Sequence, residues 1–474
     1  MFKPRPMQAE VLRYRQGKMG VSAVPGSGKT HTLSYLAARL IAEEYVGEDQ
    51  EVLIVTLVNS AVDNFSHRVE TFLKEYGILP GMNYRVRTLH GLAHDIVRER
   101  PDLVGLSNQF QIVADRDATE ILEEASTAWL RSHPEMIDAL INPELDANRS
   151  REVQKNWPEL VISIAQSFIR QAKDLQATPF DIHQGLEGLS GDFPLLHMGA
   201  EIYSDYQRAL NYRGAVDFDD LIRLALQALQ TDPEYLNRLR YRWAYILEDE
   251  AQDSSRLQEE LLQLLAGEDG NWVRVGDPNQ AIYETFTTAS PKFLLNFLRR
   301  PDVDAKTLPN SGRSTPSIIR LANFLIRWTQ QSHPNEALRQ ALTPPYIQPV
   351  PADDPQPNPP DQPDGIFISD RRFSPDEEIQ QVVRSLQKWL PDHPEATVAA
   401  LVPRNERGAK LVEQLKQHGL PYVELLRSSY ATRQTAGTLT RILRYLVDPA
   451  SPVKLASVYM ELRREQSEQA EPGK

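Results

Sequence analysis

Three short stretches carry residue types at spacings that suit phosphate chemistry. The first is AVPGSGKT, residues 23–30. Its glycines let successive backbone N–H groups point at phosphate oxygens, and the helix that follows adds its positive dipole end. Ala23, Pro25, Gly26, Ser27, Gly28 and His31 frame this cradle, with Ala23 standing where the strict pattern opens on glycine. Lys29 would reach the β- and γ-phosphates, and Thr30 would bind Mg²⁺ through its hydroxyl. The second stretch is YILEDEAQDS, residues 245–254. There Asp249 is placed to hold Mg²⁺, directly or through water, and Glu250 to orient and deprotonate an attacking water. The third is VGDPNQAIY, residues 275–283. Gln280 could sense the γ-phosphate and Asp277 could tie the loop together, although Asp-Pro-Asn taken alone is simply a good turn sequence.

Such groups act only if a scaffold brings them together. Residues 21–23 form a β-like run into the Gly-rich turn, and residues 29–44 pattern as an amphipathic helix. EVLIVTLV (51–58) is a buried-strand pattern, YRVRTL (84–89) a weaker one, WAYILEDE (243–250) an apolar strand ending in acids, and WVRVGD (272–277) another. Helical patterns separate them, as in SRLQEELLQLLAG, which closes on Gly267 as a C-cap. The alternation predicts an α/β fold with a mostly parallel, doubly wound sheet. Residues 107–212 are helix-like, which predicts a helical insertion. TPPYIQPVPADDPQPNPPDQP (343–363) has nine prolines in 21 residues, too many for helix or sheet interior, and reads as an extended linker or loop. Beyond it GIFIS (365–369), TVAALVP (397–403) and YVELL (422–426) pattern as strands of part of a second α/β domain.

Bulk properties narrow the class. The 474 residues suffice for two to four domains. No run of 18 apolar residues occurs, so no membrane span is expected. The start, MFKPRPMQAEVL, has no apolar core of a secretory signal. Cysteine is absent, which excludes disulfides and thiol chemistry and makes a reducing, cytoplasmic compartment the natural expectation. The net charge of −13 argues against a nucleic-acid coat protein, yet a local basic groove remains compatible with it, because charges beyond about 8 Å are screened at physiological salt. The N-K-x-D of GTPases and the L-S-G-G-Q of transporters are missing.

With these stretches in order, the chain resembles the UvrD/Rep/PcrA-type helicases of superfamily 1 from Gln8 to about Val447. The most specific part is D-E-x-Q-D (Asp249, Glu250, Gln252, Asp253) followed by G-D-x-x-Q-x-I-Y (Gly276, Asp277, Gln280, Ile282, Tyr283). The resemblance implies RecA-like domains with ATP and Mg²⁺ between them and single-stranded DNA across them. It implies that Gln8 reads adenine, that Gln252 couples nucleotide to DNA, and that Arg313 in NSGRSTPS is an arginine finger. It implies DNA contacts from TLVNSAVDNF (56–65), including Thr56, Asn59 and Asn64, and from TLHGLA (88–93), including Thr88 and His90. Tyr283 and Phe286 would face bases, with Phe286 replacing the family's tryptophan one residue displaced.

The resemblance also sets the expected domains: a first RecA-like domain over 1–106 and 213–297, the insertion at 107–212, and the start of a second RecA-like domain at 298–342. A linker at 343–364 then leads to a partial second domain at 365–447 and to a helical start and polar tail at 448–474. Departures are visible. Gly312 stands where the family has a tyrosine that stacks on adenine, no arginine follows Phe286, and His31 replaces a common arginine. The family's last two motifs do not appear before Lys474, so the chain reads either as a fragment or as a motor completed by a separate polypeptide that carries them. The expected activity is ATP-dependent movement on DNA with 3′-to-5′ polarity, in repair or replication. The alternatives are a single-stranded-DNA-binding ATPase that does not unwind, and an inactive remnant.

Overall fold

The computed structural model describes residues 2–79, 81–140, 146–191, 193–281 and 288–424, with scattered positions between 438 and 459. Residues 1–366 form one compact unit and residues 367–474 another. The first unit opens with α1 (Pro6–Leu12), β1 (Lys18–Ala23), α2 (Lys29–Ala42), β2 (Glu51–Thr56), α3 (Asn59–Glu75), β3 (Tyr84–Thr88) and α4 (Leu89–Glu99). A helical segment follows: β4 (Gln111–Ile112), α5 (Asp115–Ser132), α6 (Met136–Leu140), α7 (Ala147–Asp174), α8 (Pro179–Glu187), α9 (Pro194–Tyr212) and β5 (Ala215–Val216). The chain continues through α10 (Phe218–Thr231), α11 (Pro233–Arg242), β6 (Trp243–Glu248), α12 (Arg256–Ala266), β7 (Asn271–Gly276), α13 (Pro291–Leu298) and β8 (Val303–Leu308). It ends with β9 (Asn310–Ser311), α14 (Pro316–Ser332) and β10 (Gln348–Pro349).

Six strands pair in the order β3-β2-β6-β7-β1-β8, every neighbour parallel. A parallel sheet needs both faces covered, and β2 shows how the sequence supplies this. Leu53 and Val55 enter a core built with α4, α10 and α12, while Val52 and Ile54 enter a second core built with α2 and α3. All four are at most 1% exposed, and each such burial contributes about 1.5–3 kcal/mol. The architecture is therefore the expected doubly wound α/β sheet. Its last strand, β8, lies past residue 297 and pairs with β1 over its whole length, so the first sheet takes in a strand that the sequence pattern did not mark.

Helices α5, α7 and α9 bury Trp129, Val161, Ala165, Met198, Ile202 and Tyr203 in a core of their own. This insertion is pinned to the sheet domain at α10. Lys173 Nζ lies 2.5 Å from Asp217 Oδ2 and 3.0 Å from Asp220 Oδ2, and Tyr206 donates to Asp217 at 2.7 Å.

In the second unit α15 (Pro375–Trp389) and α16 (Asn405–Gln417) pack through Ile379, Val383, Leu411 and Leu415. The strands expected at 365–369, 397–403 and 422–426 are not formed in the described residues, and Leu425 and Leu426 lie outside them. The reason is physical. An apolar, β-branched run becomes a strand only by sharing a hydrogen-bond ladder, and here Phe367, Leu401 and Val423 stay 88%, 93% and 84% exposed. Among the described residues no helix is long and apolar enough to cross a membrane.

Candidate functional site

Because all six strands run the same way, their C-terminal ends share one edge of the sheet, the usual place for a ligand in an open α/β fold. The three chemistry-bearing stretches all arrive there, from the adjacent strands β6, β7 and β1. After β1 the chain turns through Gly26 and Gly28, whose φ values of +74° and +80° favour glycine. Lys29 then opens α2, with Gly28 as its N-cap. Gln8 packs onto this turn: its Nε2 donates to the Ser27 carbonyl at 2.9 Å, and its Oε1 accepts from the Arg5 N–H at 2.9 Å.

The acids at the end of β6 meet this turn directly. Thr30 Oγ1 donates to Asp249 Oδ2 at 2.9 Å, and Lys29 Nζ lies 2.7 Å from Glu250 Oε2. Glu250 holds a left-handed backbone, φ +54°, which aims its side chain back across the turn. Gln252 joins the parts: its Nε2 donates to Glu250 at 2.9 Å, and its Oε1 accepts from the Asp277 N–H at 2.9 Å. Asp277 in turn accepts from the Asn279 N–H at 3.0 Å, closing the loop that carries Gln280. The Gln280 side chain is half-buried and has no hydrogen-bond partner among the described residues.

Burial and crowding of like charge set the protonation pattern. Burial, and then the neighbouring Glu250, push Asp249 up to about 6. Burial does the same to Asp277, and burial with Glu250 to Asp253, both to about 6. Burial would raise Glu250 as well, but Lys29, the Gln252 amide and the charge of Arg313 together bring it below its ordinary range. Asp249 Oδ1, Asp277 Oδ2 and Ser27 Oγ are buried without a hydrogen-bond partner. An orphaned carboxylate oxygen beside a threonine hydroxyl fits the hard, oxygen-seeking chemistry of Mg²⁺. Among the described residues no group of three His, Asp or Glu could hold a metal alone, so such an ion would take its other ligands from phosphate and water.

Arg313 approaches from the turn after β9. A Cβ at Gly26 would lie 2.6 Å from the Arg313 Cβ, so this turn rests on the phosphate cradle. Its guanidinium is exposed and forms no ion pair among the described residues. His31 is half-buried beneath Phe2, with ring centroids 4.6 Å apart, and its Nδ1 lies 3.4 Å from Arg68 Nη1. Burial and Arg68 lower its pKa.

The residues expected to touch DNA cluster at the neighbouring strand ends. Thr56 and Thr88 are register partners at the ends of β2 and β3. Asn59 opens α3 and is exposed, and Asn64 accepts from Arg68 Nε at 2.9 Å. Thr88 caps α4 by accepting from the Gly91 N–H at 3.1 Å, and His90 meets the Phe218 ring edge-on at 5.9 Å. Tyr283 and Phe286 lie outside the described residues. The sequence reading missed Asn279, which exchanges two hydrogen bonds with Thr343 at 2.7 and 2.8 Å. The 64-residue separation left no local signal for it.

Comparison with known proteins gives the family. Residues 5–302 match the UvrD/REP helicase N-terminal domain. The ATP-dependent DNA helicase PcrA of Staphylococcus aureus is 28% identical over 328 residues, covering 69% of this chain. PcrA of Staphylococcus epidermidis is 28% identical over 331 residues with the same coverage. The chain spans 40% of the length of these curated relatives.

Proposed function

Because the chain belongs to the UvrD/REP helicase family, we propose that it is an ATP-dependent DNA helicase or translocase motor whose ATP site is the β1–β6–β7 edge. One observation carries the reading. Turns more than 200 residues apart meet through Thr30–Asp249 and Lys29–Glu250, pairing a phosphate cradle with a Mg²⁺ carboxylate and a base for water. In this reading Ala23, Pro25 and the Gly26–Ser27–Gly28 turn cradle the phosphates, Lys29 draws the γ-phosphate, and Thr30 and Asp249 hold Mg²⁺, which neutralises phosphate charge when bound. Glu250 takes the proton of the attacking water. Gln280 and Arg313 meet the γ-phosphate, Gln8 reads the base, and His31 borders the cradle. Thr56, Asn59, Asn64, Thr88, His90, Tyr283 and Phe286 belong to the single-stranded-DNA side. Polarity of 3′ to 5′, a part in DNA repair or replication and a cytoplasmic setting are proposed by likeness to the family.

A second reading, a single-stranded-DNA-dependent ATPase that does not unwind, is favoured by the unpaired segments at 367–369 and 397–403. Steady-state ATP hydrolysis with and without single-stranded DNA, beside Glu250→Gln, tests both. DNA-stimulated turnover that falls about 10²–10⁴-fold in the variant supports the motor site. Unwinding of a tailed duplex then selects the first reading and its absence the second. Background turnover that DNA and Glu250→Gln both leave unchanged would overturn the assignment.

A further inference from the structure

The proline-rich segment is fastened to three parts of the nucleotide site. At its start Thr343 and Asn279 exchange two hydrogen bonds, next to Gln280. In its middle Asp354 accepts from Arg5 at 2.7 Å, with side chains only 5% and 11% exposed, and Arg5 leads into Gln8 and the Ser27 carbonyl. Near its end Asn358 brackets the arginine turn. Its Nδ2 donates to the Ser311 carbonyl at 2.6 Å and to the Ser314 carbonyl at 2.8 Å, while its Oδ1 accepts from the Val350 N–H at 2.8 Å. Ser311 and Ser314 flank Gly312 and Arg313. The segment also fills the place of a side chain at residue 312, where a Cβ would lie 2.8 Å from the Gln356 carbonyl oxygen and 2.7 Å from Arg5 Nη2.

We propose that Asn358 is a positioning residue for Arg313, and that residues 343–363 are a strap holding the 311–314 turn on the phosphate cradle. The inference rests on the reading of Arg313 as a γ-phosphate ligand. Arg313 forms no ion pair among the described residues that would fix its guanidinium, so its placement comes from the backbone on either side, and Asn358 holds both sides. Asn358 lies between Pro357 and Pro359. The fixed φ of proline and the restriction it puts on the preceding residue make this a stiff mount, with little freedom to lose on folding. Two carbonyls require two N–H donors. An amide provides them, and an ionised carboxylate of the same shape provides none.

The test uses the full chain and reads preference for triphosphate over diphosphate, as the ratio of dissociation constants for mant-ADP and mant-ATPγS. This ratio requires no turnover. Asn358→Asp and Arg313→Ala are each expected to cut the preference about tenfold, the scale of one lost charged contact. Binding of mant-ADP should hold, and the melting temperature should fall by no more than the few degrees that the lost hydrogen bonds cost. The double variant should lose no more than Arg313→Ala alone. Asn358→Ala, which removes the donors without adding charge, should follow in the same direction and stands in if the aspartate variant does not fold. If Arg313→Ala cuts the preference while both Asn358 variants keep it, the positioning role is overturned and the reading of Arg313 stands. A double variant that loses the two effects multiplied together overturns it as well, because the residues then act separately. If Arg313→Ala leaves the preference intact, both fall.

Discussion

Gly17 and Gly26 hold nearly the same left-handed backbone, φ +83° and +74°, in different surroundings. A Cβ at Gly17 meets nothing within 4 Å, whereas one at Gly26 would press on Arg313 and Ser311 at 2.6 and 2.7 Å. Alanine in this conformation costs about 1–2 kcal/mol at either site, so both substitutions should lower the melting temperature, Gly26→Ala by more because its Cβ also overlaps Arg313 and Ser311. Only Gly26→Ala should also weaken mant-ATPγS, because it alone pushes the arginine turn off the cradle. Titration of the two variants side by side checks this, and equal affinities would mean the turn does not depend on that contact. The residue types of this site were legible in the sequence because Gly-x-Gly-Lys-Thr and Asp-Glu are dictated by phosphate and metal chemistry. The left-handed backbone of Glu250 and the clamp made by Asn358 were not, since neither leaves a local pattern. A side-chain hydrogen bond between residues 47 apart has no period to detect.

Element by element, legibility followed burial. Strands β2 and β6 are covered on both faces and read as near-continuous apolar runs, while β7 is legible from Trp272, Val273 and Val275 around the buried Arg274. The start of β1 did not, because it opens on Lys18, whose ammonium reaches the Glu268 carbonyl at 2.6 Å and Asp302 at 3.2 Å. Strand β8 escaped for the opposite reason: it is a sheet edge, buried only at Val303 and Leu308. The strand patterns beyond residue 366 misled, since pattern states a capacity to pair and not the presence of a neighbour. The insertion was legible as helix, but its attachment was not. That attachment makes a prediction. Lys173 is 1% exposed between Asp217 and Asp220, so Lys173→Met leaves Asp217 buried without a cation and Asp220 with Arg223 alone, and should cost about 3–5 kcal/mol. Adding Asp217→Asn and Asp220→Asn to Lys173→Met should recover part of that loss. Urea denaturation of the single and triple variants measures both, and a single variant within 1 kcal/mol of wild type, the scale of an exposed pair, would show that the ions do not pin α7 to α10.

At the scale of the molecule, the large cores and the candidate site occupy one stretch of chain. The two cores flanking the sheet and the core of the insertion are all built from residues before 309. The strap that reaches the site ends at 363, within the first compact unit of residues 1–366. Among its described residues the second unit holds one four-residue buried cluster, between α15 and α16, and stability scales with apolar area removed from water. Residues 1–366 should therefore fold alone. Their melting temperature should match the main transition of the full chain, and mant-ATPγS should bind with a dissociation constant within about threefold, a difference under 1 kcal/mol. Ending the chain at residue 342 keeps every strand of the main sheet but removes the strap. That shorter piece should still melt cooperatively while losing preference for triphosphate over diphosphate. Calorimetry and titration of the two pieces separate the cases. If residues 1–366 fail to fold, the sheet depends on the second unit; if residues 1–342 keep the preference, the arginine turn finds its place without the strap.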